Sequence, residues 1–243
     1  MLEWTTEKME WYVRASRFDG FHRRLTDIIR PALKKTDTVV DIGSGPGMMS
    51  LEISRYVNDV KAIDCNEYAL GWLDEKIREE GYSNIQTAIG DYIEAPDALL
   101  PGDFDVALFC YFGGPGSIFE SAYRKAKRLI VMIMHGTCPP EAKSKNEDES
   151  HRVYGDEMEE YLVNMGIPYK KLSGLIRFGQ PLISKDEAKL FVESYAENSD
   201  EDPNEHEAYI KSQLALVEKL DDPIFPWYLP KMRDPVILFI EKD

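Results

Sequence analysis

The stretch Val39-Val40-Asp41-Ile42-Gly43-Ser44-Gly45-Pro46-Gly47 constrains the fold more than any other part of this chain. Thr38, Val39, Val40 and Ile42 are β-branched, which suits a buried strand. The strand then breaks into three glycines spaced by two, and Met48 to Tyr56 carry helical character. The order is therefore strand, glycine turn, helix. Glycine lets a ligand approach the backbone, because it has no Cβ and tolerates positive φ. The helix start beyond the turn offers unpaired N–H groups. Asp41 falls at the carboxyl end of the strand, where open α/β sheets bind ligands.

A dinucleotide fingerprint needs G-x-G-x-x-G, and Met48 stands where the third glycine belongs. The phosphate-binding Walker pattern fails too, because no Gly-Lys-Ser/Thr follows. The nearest cation, Arg55, is a helix away. The pattern as it stands, D-x-G-x-G-x-G over Asp41 to Gly47, resembles the first motif of class I S-adenosylmethionine-dependent methyltransferases. In that family the loop takes the methionine part of the cofactor, which has no phosphate. The bland alternative is a glycine turn that merely connects strand to helix.

The next motifs follow the same edge. Val60 to Asp64 reads as a second strand, with Asp64 at its end, 21 residues after Gly43 (64 − 43). That gap holds one helix and one strand, so a carboxylate returns to the same sheet edge and can accept from both hydroxyls of a ribose. The resemblance gives Asp64 that role. Dinucleotide enzymes use the same device, and an N-cap is the plainer alternative, although Asn66 also suits a cap. The helix that follows places Leu70, Leu73 and Ile77 on one face and ends at Gly81. Asn84 to Ile89 form a third strand running into Gly90-Asp91-Tyr92. The resemblance assigns Asp91 to the adenine amine and the Tyr92 backbone to the ring edge. Tyr12, Ser44, Cys65, Gly90 and Cys110 complete the expected cofactor contacts.

Phe104 to Cys110 is a near-continuous apolar run that fits a central parallel strand. Tyr111-Phe112-Gly113-Gly114-Pro115-Gly116 then forms a flexible loop. Many amino-methyltransferases of nucleic acids and proteins carry Asn/Asp-Pro-Pro-Phe/Tyr at this point, and Cys110-Tyr111-Phe112-Gly113 is not that pattern. Ser117 to Glu120 reads as a capping box. Arg128 to Met134 is the fifth strand, ending in His135, which is either satisfied by backbone or acts as a base or acceptor-orienting group. His135 and Cys138 supply only a pair of ligands with no second paired motif, so no metal is expected.

Residues 139–155 are polar and proline-bearing and read as a mobile loop. Asp156 to Met165 form a helix closed by Gly166. Tyr169 to Ile183 read as a long sixth strand interrupted at Gly174 and Gly179. Ser184 to Glu187 form a second capping box, two helices follow, Pro223 to Pro230 make a proline-aromatic loop, and Pro235 to Glu241 finish as a short apolar strand.

The β/α alternation with one late strand predicts a doubly wound α/β sheet. The resemblance sharpens this to seven mostly parallel strands in the order 3-2-1-4-5-7-6, with helices on both faces and a helical insertion between the last two strands. A single domain over 1–243 is expected, with residues 1–30 as an N-terminal lid, 35–136 as the cofactor-binding core and 184–234 as a cap. The hydrophobic content of 43% supports a core for 243 residues. No apolar run reaches the ~18 residues of a membrane span, and the N-terminus lacks the basic start and apolar stretch of a signal peptide. Three widely spaced cysteines read as a reducing cytoplasm. A net charge of −15 opposes nucleic-acid binding, despite a small basic excess in the first 35 residues.

The function these features imply is S-adenosylmethionine-dependent methyl transfer to a small molecule by a monomer or homodimer. His135 and Tyr111 are the expected catalytic groups. Trp11, Tyr111, Phe112, His135, Trp227 and Tyr228 are the expected acceptor contacts. A protein acceptor is the enzymatic alternative, and a cofactor-binding scaffold or sensor is the non-enzymatic one.

Overall fold

A computed structural model gives the structure of residues 4–137, 154–196 and 203–242, with backbone alone at 203–205. Cys138 and the expected mobile loop up to residue 153 lie outside the described residues. The chain divides into two compact units. One comprises 1–5, 22–175 and 234–243, and the other 6–21 and 176–233. The sequence had suggested a single domain carrying a lid and a cap.

The first unit is built on seven strands: β1 (Thr38–Ile42), β2 (Asp59–Asp64), β3 (Ile85–Ile89), β4 (Phe104–Cys110), β5 (Ala126–Met134), β6 (Lys170–Ser173) and β7 (Val236–Glu241). Their spatial order is β3-β2-β1-β4-β5-β7-β6, as the resemblance implied. β1 lies between β2 and β4, both parallel to it, with Ile42 opposite Ile63 on one side and Phe109 on the other. β4 continues into β5 through Cys110 opposite Ile133. β7 runs antiparallel to both β5 and β6. Five parallel strands therefore end along one edge, the end that open sheets use for ligands. The core between sheet and helices is apolar and fully packed, with Ile42, Ile63, Phe109, Ile130 and Leu238 at or near zero exposure.

In chain order, helices α1 (Thr6–Asp19), α2 (Phe21–Ile29), α3 (Met48–Ile53) and α4 (Glu67–Glu80) come first. They are followed by α5 (Pro96–Leu99), α6 (Ser117–Lys125), α7 (Gly155–Asn164), α8 (Lys185–Ala196) and α9 (Pro203–Ala215). α2 stops where Pro31 enters the 3₁₀ turn Arg30–Ala32, because proline has no N–H to continue the ladder. α4 is capped by Asn66, whose side chain accepts from Ala69 N–H at 3.0 Å, and is closed by Gly81 at φ 74°.

Three expectations need correction. Ser117 does not cap α6: the N-cap is Gly116 with no side-chain cap bond. The sixth strand breaks at Gly174 and Gly179, as expected, into Lys170–Ser173, Ile176–Arg177 and Gln180–Leu182, but it is not one strand of the large sheet, because only the first piece joins it. The segment Pro223 to Pro230 is more than a loop, because Trp227–Leu229 forms the centre of a three-stranded sheet with Gln180–Leu182 and Glu218–Lys219.

The second unit joins α1 to this small sheet and to α8 and α9. Its long-range bonds are specific. Asp19 Oδ2 accepts from Gly179 N–H at 2.7 Å and from the Tyr228 hydroxyl at 2.8 Å. Glu187 Oε1 accepts from Arg14 at 2.8 Å and from Trp11 Nε1 at 3.1 Å. Glu187 N–H in turn donates to Ser184 Oγ at 3.0 Å, half of the second capping box.

Candidate active site

The turn after β1 is held by the neighbouring strand. Gly43 and Ser44 N–H both donate to Ile63 O, at 2.9 and 3.0 Å. Gly43, Gly45 and Gly47 all have positive φ, at 71°, 52° and 67°, a region L side chains rarely enter. Space is tight as well. A Cβ on Gly43 would sit 2.2 Å from Phe112 Cγ, and one on Gly47 would sit 2.4 Å from Leu73 Cδ2. Phe112, from the loop after β4, therefore lies directly on the glycine turn. Trp4 also comes to this turn, 3.8 Å from where a Gly45 Cβ would be.

Asp64 is held from two sides. Its Oδ2 accepts from Gly45 N–H at 2.7 Å and its Oδ1 from Asn66 N–H at 2.9 Å. The helix cap is Asn66, so capping does not account for Asp64. Each carboxylate oxygen has a second lone pair, which leaves capacity for two hydroxyl donors. Gly90 N–H donates to Asp64 O at 3.0 Å, which brings the β3 turn alongside. Asp91 Oδ1 accepts from Ile93 N–H at 2.9 Å, an Asx turn that fixes its carboxylate. The Tyr92 side chain points into the core, 3% exposed, and donates to Ile118 O at 3.2 Å. Burial pushes its phenol up to about 12, so Tyr92 presents only backbone to the edge.

Asp41 is 1% exposed. Its Oδ2 accepts from Ser50 Oγ at 2.6 Å. Its Oδ1 is buried with no hydrogen-bond donor among the described residues, as is Ser44 Oγ. Burial pushes the Asp41 carboxyl up to about 6, against the pull of the Ser50 hydroxyl, with nearby Asp64 adding to the rise. An unmatched buried acceptor costs about 1–3 kcal/mol, and such a group calls for a ligand or another specific reason.

The end of β4 is strained. Tyr111 is the one non-glycine residue with positive φ among the described residues, at 54°, a cost of about 1–3 kcal/mol for a bulky side chain. Its N–H donates to Ile133 O at 2.7 Å. Its ring lies 4.7 Å from the His135 ring, and the Tyr154 ring lies 5.9 Å from the same His135 ring. Gly155 N–H closes this corner by donating to His135 O at 2.7 Å. The Asp234 carboxylate abuts Gly136, 2.4 Å from a Cβ placed there. Desolvation raises the Cys110 thiol well above its ordinary value, with Asp41 adding to it, and raises Cys65 beside Asp64 and Asp91. Both thiols therefore stay protonated at neutral pH.

The glycine turn, the carboxylates at the ends of β1 and β2 and the Asx turn after β3 make an edge suited to a nucleoside carrying an amino acid. The chain matches the family model for a methyltransferase domain over residues 33–189. It belongs to that family. Two curated relatives carry the name "Probable cobalt-precorrin-6B C(15)-methyltransferase (decarboxylating)". The one from Methanothermobacter thermautotrophicus is 34% identical over 96 residues, 38% of this chain and 46% of that protein. The one from Methanocaldococcus jannaschii is 31% identical over 150 residues, 61% of this chain and 76% of that protein. The chain spans about half the length of the first of these relatives. Among solved structures, a Bacillus halodurans protein described as a methyltransferase shares the fold. It has a TM-score of 0.57 at 16% identity, covering 92% of this chain and 99% of that one.

The chain brings Asp41, Gly43, Ser44, Gly45, Gly47, Asp64, Cys65, Gly90, Asp91, Tyr92, Cys110, Tyr111, Phe112 and His135 onto strand ends and turns of its first unit. The other four expected site residues belong to the second unit, and each has a packing role there. Trp11 is 4% exposed, edge-on to Phe191 at 5.2 Å. Tyr12 lies edge-on to Phe178 at 5.8 Å. Trp227 takes the Lys185 ammonium over its ring at 4.6 Å. Tyr228 is 4% exposed and bonded to Asp19. The sequence reading missed Ser50, Tyr154 and Asp234. Ser50 was detectable as a polar residue on an otherwise apolar helix face, whereas nothing local marks Tyr154 or Asp234. Among the described residues no cluster of His, Cys, Asp or Glu could hold a metal, and no helix is long and apolar enough to cross a membrane.

Proposed function

We propose that this methyltransferase moves a methyl group, in line, to a nucleophilic atom of a flat or apolar small molecule. The observation that carries the reading is the aromatic corner at the ends of β4 and β5. There Tyr111 is held in a strained conformation beside His135, whose ring also neighbours Tyr154. Strain of this kind persists where surrounding structure over-determines it, as binding sites do. The names of the two relatives, which describe methylation of a cobalt-precorrin, support a small-molecule acceptor.

The cofactor fits the residues present. The Gly43–Gly47 turn would take its methionine part, Asp41 Oδ1 its ammonium, Asp64 its ribose diol, and Asp91 with the Tyr92 backbone its adenine. When bound, it supplies a methyl already activated on a sulfonium, so the protein mainly aligns two ligands and keeps water out. Phe112 covers the glycine turn and restricts solvent there. Tyr111 and His135 orient the acceptor, and His135 takes the proton where the attacking atom carries one.

The test is a panel of small acceptors assayed for S-adenosylhomocysteine release, run beside peptide and protein acceptors. Turnover of a flat small molecule is the expected result. Turnover confined to a protein would replace the acceptor class, and tight S-adenosylhomocysteine binding with no turnover anywhere would favour a sensor.

A further inference from the structure

We propose that Ser50 is a positioning residue for the cofactor: its hydroxyl, 2.6 Å from Asp41 Oδ2, fixes the buried carboxylate so that Oδ1 is left to accept from the methyl donor's α-ammonium. The inference rests on the cofactor reading above and assigns a role to a residue beyond the glycine motif.

The geometry is economical. Ser50 is 0% exposed and Asp41 1%, so neither group exchanges its bond with water. A hydroxyl has one proton to give, and in a helix it commonly returns it to a carbonyl one turn back. Ser50 gives it across to β1 instead. That bond occupies one carboxylate oxygen and leaves Oδ1 with no donor among the described residues. A buried carboxylate half satisfied by a neutral donor is matched to a cationic ligand group.

The groups around Asp41 are accounted for on each packed element. α3 presents the Ser50 hydroxyl, β2 presents Asp64, and β4 presents Cys110, whose thiol is itself pushed up by desolvation and by Asp41. Burial and Asp64 favour the protonated carboxyl; the Ser50 hydroxyl is the larger opposing group and the Ser50 backbone N–H, which any substitution there keeps, the smaller. Removing the Ser50 hydroxyl therefore raises the pH below which Asp41 is protonated and unable to accept the ammonium.

The experiment measures S-adenosylhomocysteine affinity by calorimetry on the full chain between about pH 5 and about pH 8.5, for wild type, Ser50→Ala, Ser50→Cys and Asp41→Asn. In wild type the affinity is flat at the alkaline end and falls about tenfold by about pH 5, following the ionised fraction of Asp41. Ser50→Ala moves the midpoint up by about one pH unit, which makes binding about fivefold weaker near pH 6 and leaves it within about twofold at the alkaline end. Ser50→Cys, of similar size with a weak S–H donor, shifts the midpoint in the same direction and less far. Asp41→Asn binds weakly and shows no midpoint.

A Ser50→Ala or Ser50→Cys loss of equal size at every pH means that Ser50 only ties α3 to β1, and overturns the proposal while the cofactor reading stands. A wild-type profile with no midpoint overturns it even where the Ser50 variants fail to fold. Absence of S-adenosylhomocysteine binding by wild type at any pH overturns the cofactor reading itself, and this inference with it.

Discussion

Replacing Asp64 with alanine should separate ligand binding from fold more cleanly than any other single change at this edge. The carboxylate accepts from Gly45 N–H and Asn66 N–H. In the bound state it would also accept from two ribose hydroxyls. Hydrogen bonds to a charged group contribute about 1.5–3 kcal/mol each, and part of that is offset by solvating the exposed side of the site. A loss of about 2–4 kcal/mol in S-adenosylhomocysteine affinity follows, roughly 30- to 900-fold in Kd. The fold should persist, because α4 keeps its own cap at Asn66 and Asp64 is the last residue of its strand. The assay is calorimetry with S-adenosylhomocysteine and with its 2′-deoxy analogue on both proteins. Wild type should lose affinity for the deoxy compound, and Asp64→Ala should bind the two alike. A folded Asp64→Ala protein with wild-type affinity, or one that still discriminates against the deoxy analogue, would refute the ribose assignment.

Gly47→Ala should destabilise the protein by about 2–5 kcal/mol in urea unfolding, combining the cost of a left-handed alanine with displacement of the fully buried Leu73; a change under about 1 kcal/mol would show the turn to be plastic. Tyr111→Asn, which tolerates positive φ, should keep thermal stability and leave S-adenosylhomocysteine affinity within about threefold while lowering turnover by more than about tenfold; unchanged turnover would remove Tyr111 from the acceptor corner. With a net charge of −15, no binding to RNA or DNA is expected at physiological salt, and sub-micromolar binding with a steep salt slope would contradict this.

Local chemistry explains why the β/α alternation and the glycine edge were legible in the sequence, whereas the strand order came from the family resemblance. Asp41 to Gly47 and Asp64 sit where a strand ends and a turn begins, and both events are marked by residue type and spacing. In the run Tyr169 to Ile183 the breaks at Gly174 and Gly179 were legible, but the separate sheets the pieces join were not, because their partners lie far along the chain. Gly179 gives its N–H to Asp19, 160 positions away, and a Cβ there would strike the Tyr228 hydroxyl at 2.2 Å. Trp11, Tyr12, Trp227 and Tyr228 illustrate the same limit. Their aromatic character was plain, but their contacts within the second unit depend on the meeting of residues 6–21 with 176–233. At Ser117 the motif was present, yet Gly116 at φ 77° takes the capping position, because the chain arrives from a turn that only glycine makes at low cost.

β7 comes last in chain order of the seven strands but lies between β5 and β6. On a ribosome, Met134 emerges 102 residues before Val236 (236 − 134), an interval of about 5–20 s at ordinary synthesis rates. During that time β5, with its run Leu129 to Met134, has no neighbour on one side. An apolar strand with an open edge is a template for pairing with other chains. The nascent protein should therefore be most prone to aggregation, and most dependent on chaperones, after β5 has formed and before Glu241 is in place.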